Sequence, residues 1–134
     1  AMALLDPAPD ERLLDLFCGL GNFTLPMARR AREVVGVEGD ADLVAQARGN
    51  AERHGLTQTR FVKANLYDAA ALDPPPWGAG AFDGVLLDPP RSGAREVLPA
   101  VAATGARRVV YVSCHPAMPA IWSVCMGIGS RRRA

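Results

Sequence analysis

The stretch Leu-Leu-Asp-Leu-Phe-Cys-Gly-Leu-Gly-Asn-Phe, residues 13–23, constrains the fold of this chain more than any other. An apolar run ends in a carboxylate and passes at once into a Gly-x-Gly turn and a helical pattern. That is a buried strand handing over to a helix N-terminus, the place where α/β proteins bind nucleotides. Glycine turns the backbone sharply and lets a ligand approach, and the free N–H groups at a helix start favour negatively charged groups.

The same succession recurs along the chain. Residues 33–38 form a second apolar run ending in an acid, and Asp40 is placed to cap a helix carrying Leu43, Val44, Ala47 and Ala51 that Gly55 stops. Asn22 is placed to cap the first helix, with Pro26 tolerated in its first turn. Residues 59–64 predict a third strand, and Asp73-Pro74-Pro75-Pro76-Trp77-Gly78 predicts a surface loop. A fourth strand, 82–87, ends at Asp88-Pro89-Pro90; residues 93–103 have helical spacing that Pro99 bends or shortens; a fifth strand, 108–113, leads into Cys114-His115-Pro116. Strands alternating with helices imply a mostly parallel sheet of about five strands, with right-handed crossovers and ligands at the carboxyl ends. Residues 1–11, with Pro7 and Pro9, read as a leader, and in residues 117–134 Ile121, Trp122, Val124 and Cys125 suggest a short helix with no further strand.

At 134 residues and 49% hydrophobic content, the chain can bury one ordinary core, so a single domain is expected. A formal charge of +1 and the absence of a run of about 18 apolar residues argue against a strongly basic nucleic-acid module and against a membrane span. Cys18, Cys114 and Cys125 are odd in number and lack Cys-x-x-Cys spacing, which opposes a disulfide framework and a structural zinc site and fits a reducing cytoplasm.

Three groups of residues can carry chemistry. The first is Asp15, Gly19, Gly21 and Glu38. An acid some 20 residues beyond a glycine turn is the expected acceptor for the ribose hydroxyls of an adenosine cofactor, and the missing third glycine favours S-adenosylmethionine over a dinucleotide. Asn65, after the third strand, is placed to read an adenine edge or simply to form a turn. The second is Asp88-Pro89-Pro90-Arg91-Ser92-Gly93, whose prolines hold Asp88 rigidly and whose Arg91 suits a phosphate or carboxylate partner on the substrate. The third is Cys114, a thiol at a strand end beside the ligand cleft, either a small buried hydrophobe or a nucleophile that His115 assists. Cys18 and Cys125 read as structural, His54 as a surface residue and Arg131-Arg132-Arg133 as a solvated tail.

Together, Asp15-Leu-Phe-Cys-Gly-Leu-Gly-Asn-Phe-Thr-Leu-Pro, Val35-Gly-Val-Glu-Gly, Leu86-Leu-Asp-Pro-Pro-Arg-Ser-Gly and Tyr111-Val-Ser-Cys-His-Pro resemble the RNA uracil-5-methyltransferase family, most nearly its 23S rRNA branch, over residues 13–116. The resemblance implies a Rossmann-like class I methyltransferase core. It further implies S-adenosylmethionine as cofactor, with Phe17, Asn22, Glu38, Asn65 and Asp88 around it, an RNA substrate and Cys114 as nucleophile. Carbon 5 of uracil is a poor nucleophile until a thiolate adds at carbon 6, which is why such an enzyme needs a cysteine.

The departures are also informative. His115 stands where the family has asparagine, and residues from 117 onward leave its pattern. The family's general-base glutamate, its sixth and seventh strands and its upstream RNA-binding domain are not found in these residues. A partial catalytic domain, inactive alone, is therefore expected, with the sheet edge beside the fifth strand free to pair with a second copy. Methylation of an RNA or protein nitrogen at the Asp88-Pro-Pro loop, and a non-catalytic cofactor-binding remnant, remain the alternatives.

Overall fold

The structure, a computed structural model, describes residues 2–78, 80–112 and 121–124. Its elements run α1 (Met2–Leu5), β1 (Arg12–Leu16), α2 (Thr24–Ala28), β2 (Glu33–Glu38), α3 (Ala41–Arg53), β3 (Thr59–Lys63), β4 (Gly84–Leu87), α4 (Leu98–Ala103), β5 (Arg108–Val112) and β6 (Ile121–Val124). Single 3₁₀ turns lie at Ala69–Leu72 and Arg95–Val97. The sheet order is β3-β2-β1-β4-β5-β6, parallel from β3 to β5. The chain winds outward from β1 to β3, then returns to the other side of β1, so the topological switch point falls between β1 and β4. That is the Rossmann-like arrangement, with its ligand crevice above this point.

Both faces of the sheet are covered, which explains why the strands read as continuous apolar runs rather than alternating ones. Leu14, Leu16, Val35, Val37, Val85, Leu87 and Val109 face one core with Leu72, Trp77, Phe82, Val97 and Val101. Leu13, Val34, Leu86 and Val110 face the other, against Leu5, Met27 and Ala28. Val44, Ala47 and Ala51 of α3 pack over Phe61 and Cys18. Gly36 permits that approach, since a Cβ there would lie 2.9 Å from Phe61 Cδ1 and 3.0 Å from Cys18 Sγ.

Several local expectations change. The segment read as a leader packs into the fold: Leu5 is fully buried, and the Glu11 carboxylate accepts from the Ala8 N–H at 3.0 Å and from Arg108 Nη2 at 2.5 Å. Asn22 does not cap α2. The helix begins at Thr24 without a side-chain cap, because the glycine loop rolls directly into it, Leu25 N donating to Gly21 O at 3.1 Å. The proline loop is anchored from beneath, with Trp77 1% exposed. Pro99 sits in the first turn of α4, where its missing N–H costs nothing, and a 3₁₀ turn precedes it. The residues expected to form a short helix near Ile121 instead form β6, antiparallel to β5. The edge of β5 proposed for pairing with a second copy is therefore occupied by the chain itself, and β-branched and aromatic residues suit such a strand. Asp40 caps α3 as expected, accepting from Asp42 N and Leu43 N, and Gly55 follows the helix at φ +67.

Candidate functional site

Asp15, one residue from the end of β1, lies at the centre of the sheet and is 1% exposed. Its Oδ2 accepts from the Thr24 hydroxyl at 2.5 Å, whereas its buried Oδ1 has no hydrogen-bond partner among the described residues. Burial pushes this carboxyl up to about 7; the Thr24 bond opposes the shift and the neighbouring Asp88 charge adds to it. An oriented acid with one free oxygen can accept from a ligand N–H, and a cationic ligand would favour its ionised form.

After β1 the backbone makes an unusual turn. Phe17 has φ +62, a left-handed conformation that costs a side-chain-bearing residue about 1–3 kcal/mol. Gly19 and Gly21 continue it at φ +56 and +93. The loop is tied down at Glu38, the last residue of β2. Its Oε1 accepts from Gly19 N and its Oε2 from Asp40 N, each at 3.0 Å, so one carboxylate joins the glycine loop to the start of α3. Each oxygen keeps a lone pair for a ligand hydroxyl.

Beyond β3, Asn65 Oδ1 accepts from Tyr67 N at 2.9 Å, an Asx turn that leaves the Asn65 NH₂ without a partner among the described residues. The Tyr67 ring stands beside Phe17, centroids 5.6 Å apart and tilted by 57°. Asp88 follows β4, with its N–H donating to Leu16 O at 3.3 Å and its carboxyl raised by partial burial. These residues meet in a cleft of about 360 Å³ at the carboxyl end of the sheet, walled by Phe17, Glu38, Asn65, Tyr67, Asp88 and Pro89.

Phe17, Glu38, Asn65 and Asp88, far apart in sequence, thus share one cavity. Asp15 lies beneath it, and Gly19 and Gly21 shape the adjoining loop. Asn22 and Arg91 are exposed and are not in its wall. Tyr67 was not foreseen; an aromatic residue two positions past Asn65 was the available signal, but nothing in the pattern gave its direction. Cys114, His115, Cys125 and the terminal arginines lie outside the described residues. The Cys18 thiol is buried and pushed far up by burial, with the Asp15 and Glu38 charges adding, which disfavours its thiolate. His54 is an exposed residue at the end of α3. A larger cavity, about 490 Å³, lies beside α3 and the start of β3, but Arg48 and Arg60 on its wall are committed to the carbonyls of Phe61 and Trp77. Among the described residues, no cluster of three or more His, Cys, Asp or Glu can hold a metal ion, and no helix is long and apolar enough to cross a membrane.

The family model described as a methyltransferase domain matches residues 7–106. The chain is 63% identical over 117 residues to the 23S rRNA (uracil(1939)-C(5))-methyltransferase of Alkalilimnicola ehrlichii, covering 87% of this chain and 26% of that protein. It is 60% identical over 116 residues to the enzyme of the same name from Stenotrophomonas maltophilia, with the same coverage of 87% and 26%. The chain therefore spans about a quarter of the length of these relatives. Among solved structures it is similar to the Pyrococcus abyssi tRNA (uracil-54, C5)-methyltransferase in complex with S-adenosyl-L-homocysteine, with TM-score 0.68, 26% identity, and coverage of 85% of this chain and 27% of that one. A precorrin 8W decarboxylase from Methanobacterium thermoautotrophicum shares the fold at TM-score 0.71 and 21% identity, over 87% of this chain and 61% of that one.

Proposed function

The chain belongs to the methyltransferase domain family, and from that premise we propose that it is the donor-binding core of an enzyme that methylates carbon 5 of a uridine in RNA, with 23S rRNA as the target. The observation that carries this reading is the single cleft uniting Phe17, Glu38, Asn65 and Asp88. The naming of relatives at about 60% identity supports the acceptor.

The residues present fit S-adenosylmethionine. Glu38 offers two carboxylate oxygens to a ribose diol, and the Asn65 NH₂ has no competing partner for an adenine nitrogen. The orphan Oδ1 of Asp15 supplies an acceptor for the amino-acid end. When bound, this cofactor supplies an electrophilic methyl group next to a positive sulfur. Asp15 within β1 and Asp88 directly after β4 stand on either side of the switch point and offer carboxylates to that cation, with the backbone of each fixed by the strand it belongs to or follows.

Cys114, just beyond β5, is the proposed nucleophile. Its thiolate adds to carbon 6 of uracil, forming a C–S bond and moving the ring electron pair onto carbon 5 and the adjacent carbonyl as an enolate. Carbon 5 would then take the methyl group as the methyl–sulfonium bond breaks, the electron pair of that bond staying on sulfur to leave a neutral thioether. A base removes the carbon 5 proton and the C–S bond breaks, returning the thiolate. The family resemblance assigns this base to a glutamate that none of these residues matches, and these 134 residues by themselves are proposed not to turn over.

The test is adduct formation with RNA carrying 5-fluorouridine, whose fluorine cannot leave as a cation and so traps the methylated C–S intermediate. A donor-dependent covalent complex seen by mass spectrometry, and lost in Cys114→Ala, is expected in the longer protein that supplies the base. An unchanged complex in Cys114→Ala, or methylation that survives that change, overturns the uracil reading in favour of nitrogen methylation at the Asp88 loop.

A further inference from the structure

Tyr67 is 44% exposed at the rim of the cleft, although its backbone is fixed by the Asn65 turn. Its aromatic contact with Phe17 is a tilted one at 5.6 Å, so the two rings already touch and no base fits between them. Its phenol also neighbours Tyr111, whose hydroxyl is pushed up first by burial and then by the Tyr67 charge. Tyr111 lies on β5, three residues ahead of Cys114, and its hydroxyl comes within 3.6 Å of where a Cβ on Gly93 would stand. Tyr67 therefore shares the rim of the cleft with the Asp88–Pro90 loop. A second cleft, about 370 Å³, opens on the far side of the Asp88–Gly93 loop, with Ser92, Arg95 and Tyr111 in its wall. An exposed aromatic face, an arginine and a hydroxyl beside the donor cleft match the elements that hold unstacked nucleotides.

We propose that Tyr67 is an acceptor-positioning residue whose ring stacks on a nucleobase of single-stranded RNA presented beside the Asp88–Pro90 loop. This rests on the reading of the adjoining cleft as a methyl-donor site. Stacking is the mode, because the residue is partly exposed at the rim and every base has a π surface. A rigid side chain with only two rotatable bonds loses little freedom on doing so.

The experiment uses the chain saturated with S-adenosylhomocysteine and a fluorescein-labelled hexauridylate, read by anisotropy, with tryptophan fluorescence of each variant as a check on folding. Tyr67→Phe keeps the hexamer affinity, and Tyr67→Leu weakens it by about 5- to 150-fold, the range for losing one base–aromatic stack. S-adenosylhomocysteine affinity, measured separately by calorimetry because Tyr67 also stands in the wall of the donor cleft, falls by much less than the hexamer affinity in Tyr67→Leu. Equal hexamer binding by Tyr67→Leu and the parent chain, or no hexamer binding by the parent, overturns the proposal. A comparable loss of S-adenosylhomocysteine affinity in Tyr67→Leu also overturns it, by making Tyr67 a donor contact. If the parent chain fails to bind S-adenosylhomocysteine at all, the donor-site reading fails instead.

Discussion

Replacing Asp15 with asparagine should make the protein more stable near neutral pH while weakening its hold on the methyl donor. Burial raises this carboxyl from 3.8 to about 7. Between those values the folded protein keeps a proton that the unfolded chain releases. Stability from this group is thus fully present below 3.8 and is lost as pH climbs to about 7. One proton over about three pH units, at about 1.4 kcal/mol per unit, amounts to about 4 kcal/mol. Asparagine keeps the size of the side chain and an oxygen for the Thr24 hydroxyl but does not titrate. Urea unfolding followed by tryptophan fluorescence, at intervals from pH 4.5 to 7.5, should show the variant pulling ahead as pH rises, with the gap levelling off above pH 7. Parallel stability curves for the two proteins would refute the argument, since a carboxyl with an ordinary pKa produces no such gap. Calorimetry at pH 7.5 supplies the other half. S-adenosylmethionine carries positive charge that a carboxylate favours and an amide does not, so the more stable variant is expected to bind it less tightly.

Two further outcomes follow from the same geometry. Glu38→Ala leaves the amides of Gly19 and Asp40 without their acceptor and removes the proposed partner of the ribose diol. S-adenosylhomocysteine binding should weaken by about tenfold or more in calorimetry, as for loss of a charged hydrogen-bond partner. Gly36→Ala drives a methyl group to within 2.9 Å of Phe61 and 3.0 Å of Cys18. Scanning calorimetry should show it destabilised by about 1–3 kcal/mol, the cost of overpacking, despite the better strand propensity of alanine.

The central strands were legible because each is a short apolar run closed by a functional acid or turn, a pattern that a sheet buried on both faces imposes. Asp15, Glu38 and Asp88 were read as site candidates for that reason: each sits at or next to the point where a hydrophobic strand stops. The ends of the chain were less legible. Leu5 is fully buried in a segment that shows no period, because one helical turn is too short to display one. Ile121–Val124 carries no turn signal to distinguish helix from strand, and it is the open edge of β5 that decides the matter. Asn22 has the right chemistry for a cap but the wrong position, since Phe17 already bends the backbone at φ +62, a conformation its residue type does not advertise. Tyr67 illustrates a different limit. Its proximity to Phe17 depends on the outward winding of β1, β2 and β3, which brings together residues 50 positions apart.

The Glu11 cluster separates two jobs along the length of the strands. At their amino ends Glu11 joins Arg107 and Arg108, Asp83 meets Arg107 and the Arg12 N–H, and Arg12 pairs with Glu33 while lying over Phe82. These groups tie the start of β1 to those of β2 and β5 and to the approach to β4, like a clasp across one border of a fabric. The cleft with Glu38 and Asp88 lies at the opposite border. The charges that join the strands are thereby kept a strand's length away from the carboxylates proposed to meet a ligand, so neither set of charges has to serve the other's purpose.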